Sequence, residues 1–147
     1  MHTLREATID RIRELRLQRG MTQQGLADRL NQLGAHTDRT AVAKVENGNR
    51  ELSLVEAFQY AHALHVAPVH LFVPTDSDEP IEIGPNLRAS PYDVRAWIRG
   101  GRPLGLQDPR LYWSAVPETE FKAANGALAE WLRNAPYIVS TQEDEDQ

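Results

Sequence analysis

Between residues 38 and 50 the chain reads DRTAVAKVENGNR, which brings Arg39, Thr40, Lys44, Asn47, Asn49 and Arg50 within a few turns of backbone. A forked guanidinium, an ammonium, a hydroxyl and two amides are donors of the kind that phosphate oxygens and base edges accept. Arg39 can present two parallel donors to O6 and N7 of a guanine, a contact worth about 1–3 kcal/mol of discrimination. Thr40 can bond a base or pack against a thymine methyl, and Lys44 could reach either a guanine or a phosphate. Asn47 and the following Gly-Asn-Arg place amides and side-chain donors where a phosphate would lie. The competing reading of Arg39 and Lys44 is ordinary solvated charge, and their clustering on one face favours contact.

Such donors act together only on a rigid support, and the pattern predicts one. Thr37 or Asp38 caps a short helix from about Arg39 to Asn47 that buries Ala41, Val42 and Val45, is closed by Gly48, and turns Arg39, Thr40, Ala43, Lys44 and Asn47 outward. Upstream, Ile9, Ile12 and Leu15 recur through a helix over about 4–19, which Gly20 ends. Thr22 caps a second helix to about Leu33, with Leu26, Ala27, Leu30 and Leu33 on one face and Gly34 as the stop. Downstream, Ser53 and Glu56 form a capping box for a helix to about His65, with Leu54, Val55, Phe58, Ala61 and Leu64 expected inward. Pro68 then starts one more turn anchored by Leu71 and Phe72.

The stretches TQQGLADRL, AVAKVENGNR and LSLVEAFQYAHALHV resemble the Cro and lambda-repressor (xenobiotic-response-element, XRE) type of helix-turn-helix over about residues 5–73. The resemblance implies an all-α fold: a five-helix repressor-like DNA-binding domain, here followed by a smaller, mainly helical C-terminal region with an acidic tail. It also implies roles. Arg39, Thr40, Ala43 and Lys44 would read bases; Gln23 and Gln24, at the start of the second helix, and Asn47, Asn49 and Arg50 would hold phosphates; Glu46 would be structural. The chain departs from the family in NQLGAHTD, which lengthens the path from Leu30 to Val42 by about five residues beyond a motif usually joined by a turn of about 3–4. We read the excess as an extra turn on the second helix.

Other chemistry finds little support. Cysteine is absent, which excludes disulfides, thiolate nucleophiles and cysteine zinc sites. His62, His65 and His70 share a helical region but lack the further ligand and spacing a zinc site requires, so no metal and no cofactor are expected. Nothing combines a nucleophile, a base and an oxyanion hole, so no catalysis is expected. Trp97, Trp113 and Trp131 read as core or interface before ligand pocket. No apolar run suits a membrane span and the N-terminus has no secretory pattern, so a cytoplasmic, nucleoid-associated protein is expected.

The net charge of −5 is unevenly shared: residues 1–75 carry +1 and residues 76–147 carry −6. That division, at PTDSDEP, suggests a DNA-binding domain over 1–75, a helical region for dimerisation or partner binding over 76–140, and a solvated acidic tail over 141–147. In the second part PIEIG alternates like a short strand, and Ser90 and Pro91 open a helix to about residue 99 with Val94, Trp97 and Ile98 as its apolar face. GRPLGLQDPRLYW reads as loop, and VPETEFKAANGALAEWLRNAP as a last helix. The expected partners are double-stranded operator DNA, a second copy bound through the C-terminal region, and possible protein partners. The expected function is a repressor acting by operator occupancy. The rivals are the antitoxin of a toxin–antitoxin pair, or a ligand- or protein-interaction module with weak DNA binding.

Overall fold

A computed structural model of the chain describes residues 2–121. Its elements are β1 (His2–Thr3), α1 (Leu4–Gln18), α2 (Gln23–Gln32), α3 (Arg39–Glu46), α4 (Leu54–Ala63), α5 (Pro68–Phe72), β2 (Ile81–Gly84), β3 (Leu87–Ala89), α6 (Pro91–Ile98) and α7 (Pro109–Ser114). They fall into two compact units, residues 1–106 and 107–147. The expected boundary near residue 75 therefore lies inside the first unit.

Helix starts follow local chemistry. Thr22 Oγ1 accepts from Gly25 N, Asp38 Oδ1 from Ala41 N and Ser53 Oγ from Glu56 N, each satisfying a donor that the first turn leaves open. Asp38, and not Thr37, is thus the cap of α3. A capping box of the same kind opens α1, where Thr3 and Glu6 exchange bonds. The backbone N–H of Thr3, with its side chain, holds the Glu6 carboxyl below its ordinary range.

The main core joins Ile12 and Leu15 of α1, Leu26, Ala27 and Leu30 of α2, Val42 and Val45 of α3, and Tyr60, Ala61, Ala63 and Leu64 from α4 and its C-cap, with Leu71 of α5. Burial of Tyr60 pushes its phenol up to about 12.

Several expectations need correction. The fold is mostly helical but not all-α: β1 pairs in parallel with β2, His2 opposite Ile81, and β2 pairs antiparallel with β3, Ile81 opposite Ala89. Val73, Ile81 and Val94 form a second buried cluster beneath Leu4, Phe72, Ile83 and Ala89, so the strand read in PIEIG is a structural tie to α1 and α5. On α4, Leu54, Val55 and Phe58 do not face inward; the buried side is Tyr60, Ala61 and Ala63. Leu33, past the end of α2, and Ile98, at the end of α6, are exposed as well.

The added residues after Leu30 do not all extend the helix. After Gln32 the chain leaves α2 through Gly34 at φ 89°, and residues 33–38 form a connection spanned by Asn31, whose side chain bonds both Thr37 N and Thr37 O at 2.9 Å. Within the stretch expected as loop, Asp108 caps α7 and Pro109 starts it. In that second unit Trp113 packs on Tyr112 and on Phe121, with ring centroids 4.9 and 5.1 Å apart. Most of the helix expected from VPETEFKAANGALAEWLRNAP, with Trp131, and the acidic tail lie outside the described residues.

Candidate nucleic-acid interface

α3 is short, and its register is set from beneath. Val42 and Val45 are fully buried, which leaves Arg39, Thr40 and Lys44 exposed on the opposite side and Ala43 half-buried between them. A small residue at that point keeps the outer surface low enough to enter a groove about 12 Å wide. The helix ends at Asn47; Gly48 takes φ 74°, and Asn49 N returns to Lys44 O at 2.8 Å, closing the carbonyls of the last turn. This closure leaves Asn47 and Asn49 exposed beside the end of α3.

The loop after α3 is held from two sides. Arg5 of α1 donates to Gly48 O at 2.8 Å and to Glu51 Oε2 at 3.0 Å. Arg50 Nη2 donates to Glu56 Oε1 at 2.7 Å, and Glu56 Oε2 accepts from Ser53 N at 2.9 Å. The Arg50 guanidinium and the Ser53 N–H draw the Glu56 carboxyl below its ordinary range, and Glu56 in turn raises Arg50. Arg50 thus braces the loop against α4 in the free protein, while Asn47 and Asn49 remain exposed.

A third network fixes α3 against α1 and α2. Glu46 lies 30 residues from Arg16, yet accepts from Arg16 Nε at 2.5 Å and Nη2 at 3.1 Å; both side chains are nearly buried, 10% exposed for Arg16 and 2% for Glu46. Arg16 Nη1 also donates to Met21 O, and Gln23 Nε2 donates to Glu46 Oε2 at 3.0 Å. The Arg16–Glu46 pair therefore joins α1, the α1–α2 turn, the first residue of α2 and the last of α3. Gln23 uses one amide hydrogen on Glu46 and keeps a second. Gln24 is exposed and donates to Asp28 Oδ1 at 2.9 Å.

Arg5 and Arg16 carry no recognisable motif. A signal existed for Arg16: it follows Ile12 by four residues, so a cation sits on the apolar face of α1, where only a partner makes it tolerable.

The histidines do not converge. Among the described residues no three His, Asp or Glu side chains gather as a metal site would need. His65 meets the Arg29 guanidinium, and His70 Nε2 lies 3.1 Å from Arg99 Nη2. Burial and the nearby Arg99, Arg95 and Arg11 lower the His70 pKa.

Residues 12–71 match a family model described as helix-turn-helix. These residues are a helix-turn-helix domain of the XRE type. No curated protein and no solved structure matches the chain. The helix-turn-helix domain makes it a DNA-binding transcriptional regulator. The match begins within α1 and ends within α5, so β1, the hairpin β2–β3 and α6 are additions packed onto that domain. No helix among the described residues is long and apolar enough to cross a membrane.

Proposed function

We propose that this helix-turn-helix chain is a repressor that reads an operator through α3 and acts as a dimer by occupying it. Arg39, Thr40, Ala43 and Lys44 contact base edges. Asn47, Asn49, Gln23 and Gln24 contact phosphates, with Arg50 held nearby by Glu56.

The observation that carries this reading is the distribution of unused cations. Among the described residues nearly every arginine is bound to a carboxylate, a carbonyl or a histidine. Arg39 and Lys44, with Arg13 of α1, have no hydrogen bond or ion pair among the described residues. Two side chains on one face of an eight-residue helix therefore keep all their donors for something outside the molecule.

The test is a mobility-shift measurement on DNA from the promoter region of the chain's own gene. Arg39→Ala and Lys44→Ala should each weaken binding to that DNA while leaving the fold intact. Indifference to both would sink the assignment and favour a protein-interaction module. Co-purification of a neighbouring gene product would favour the antitoxin reading.

A further inference from the structure

α4 is apolar on two sides. Tyr60, Ala61, Ala63 and the capping Leu64 fill the core, yet Leu54, Val55 and Phe58 remain 75%, 66% and 50% exposed, and Leu33, just past α2, is 38% exposed. These four, with Gln59 and His62, line one shallow groove on the first compact unit. A contiguous patch of large apolar side chains in a water-soluble domain marks a surface that another molecule covers.

We propose that this face of α4, with the end of α2, docks a second copy of the chain. The proposal rests on the dimeric repressor reading and names the surface that serves it.

Charge argues for a like partner. The chain carries −5, so two copies repel unless they meet where there is no charge, and none of the six lining residues is Asp, Glu, Lys or Arg. A basic partner would call for acids in this groove, and nucleic acid for cations. Geometry agrees. Leu54, Phe58 and His62 follow one another at i, i+4 and i+8, and Val55 and Gln59 form a parallel row beside them. Rows of this kind interlock when two helices cross. A two-fold contact needs one patch that meets its own copy, and the exposed Leu54, Val55 and Phe58 of this groove offer apolar surface to both sides. The alternative site, the C-terminal region, has lost part of its material: Ile81 and Val94 are buried within the first unit.

Function gains from this placement. The loop that opens α4 carries Asn49 and Arg50 and follows directly on α3. Pairing through α4 would therefore set the distance between two copies of α3 from within the compact unit that carries each, as a two-fold operator requires.

The experiment uses the full chain. Sedimentation velocity should give a dimer for the wild type and a monomer for Val55→Glu, with Val55→Ser and Leu33→Gln weakening the dimer without adding charge. Val55 and Leu33 are exposed, so the circular dichroism spectra should overlay that of the wild type, with the melting temperature lowered only as far as loss of the dimer requires. On DNA carrying two half-sites, Val55→Glu should lose roughly 100-fold in affinity, while binding to a single half-site stays unchanged. Arg39→Ala should do the reverse, remaining dimeric and binding each half-site more weakly, which separates failure of the docking surface from failure of the DNA reading. A folded Val55→Glu chain that sediments as the wild-type dimer overturns the proposal and moves the contact elsewhere. So does a wild type that stays monomeric at tens of micromolar, or loss of a co-purifying protein with no change in self-association.

Discussion

α3 and α4 follow each other in the chain, and each turns one side to solvent, but the two exposed sides are opposites. α3 shows Arg39, Thr40 and Lys44, with Asn47 just past its end; α4 shows Leu54, Val55 and Phe58. The difference separates two binding problems that one helix solves badly together. A cationic face gains affinity by displacing counterions and weakens with salt. An apolar face gains by shedding water and releases no counterions. Between them lies the loop 47–53, held by Arg5, Arg50 and Glu56, which passes the orientation of one face to the other.

The strongest way to break this comparison is to unfasten α3 from beneath. Glu46→Ala leaves the nearly buried Arg16 without its carboxylate, and a stability loss of about 3–5 kcal/mol is expected in urea unfolding. The double change Arg16→Met with Glu46→Leu should recover much of it, because the same site is then apolar. Were Glu46→Ala to cost under ~1 kcal/mol, the pair would not be what holds α3 in place.

Next in size is the reading face itself. Arg39→Ala should weaken binding to the specific site by about 1–3 kcal/mol and relax the preference at one base position. If Lys44 serves a phosphate, Lys44→Ala should lower affinity evenly across sequences and reduce the slope of log K against log salt by ~0.9. Neither change should move the melting temperature appreciably, whereas the changes on α4 should leave the salt slope at a single half-site intact.

A smaller effect lies in the loop. Glu56→Gln removes a charge that both caps α4 and holds Arg50, at a cost of about 1 kcal/mol near neutral pH. The Glu56 carboxyl is lowered in the folded state, so its contribution is present above about pH 4.5, the value for the free side chain, and is lost as the pH falls through the lower folded value. Stability curves of wild type and Glu56→Gln should therefore converge in acid. A gap that persists below both values would show that packing, not charge, is responsible.

The smallest change concerns the exit from α4. His65 holds φ 53°, a left-handed conformation that a side chain resists. His65→Gly should raise stability by about 0.5–1 kcal/mol in thermal unfolding and leave both binding faces unchanged. A loss instead would show that the Arg29 contact outweighs the backbone strain.

Much of this fold was legible where the physics is local. Thr22, Ser53 with Glu56, and Ser90 with Pro91 announce helix starts a few residues ahead, and each helix begins there. Three-residue and four-residue spacing placed Ile12, Leu26, Leu30, Val42 and Val45 in the core. The structural role that the family resemblance implies for Glu46 is carried by its bonds to Arg16. Periodicity says which residues share a face but not whether that face meets the core, which is why Leu54, Val55 and Phe58 face solvent where their spacing predicts burial. Which distant residues pair is not legible: Arg16 shows that it needs a partner but not that the partner is Glu46, and nothing marks Arg5 with Gly48 or the parallel pairing of His2 with Ile81. The candidate contacts on α3 were legible as a pattern of donors. That Arg50 and Gln23 already hold partners in the free protein became visible only in three dimensions.

The parallel pairing of β1 with β2 bears on the order in which the molecule assembles. His2 and Ile81 can meet only after the intervening helices have condensed, since closing so long a loop brings little return until the core exists. The helices should then form the folding nucleus and the small sheet should close last. Shaving Ile81 to Val ought to speed unfolding and leave the folding rate nearly untouched in stopped-flow kinetics. The sheet would then act as a latch on the finished domain, governing how long it stays folded more than how fast it gets there.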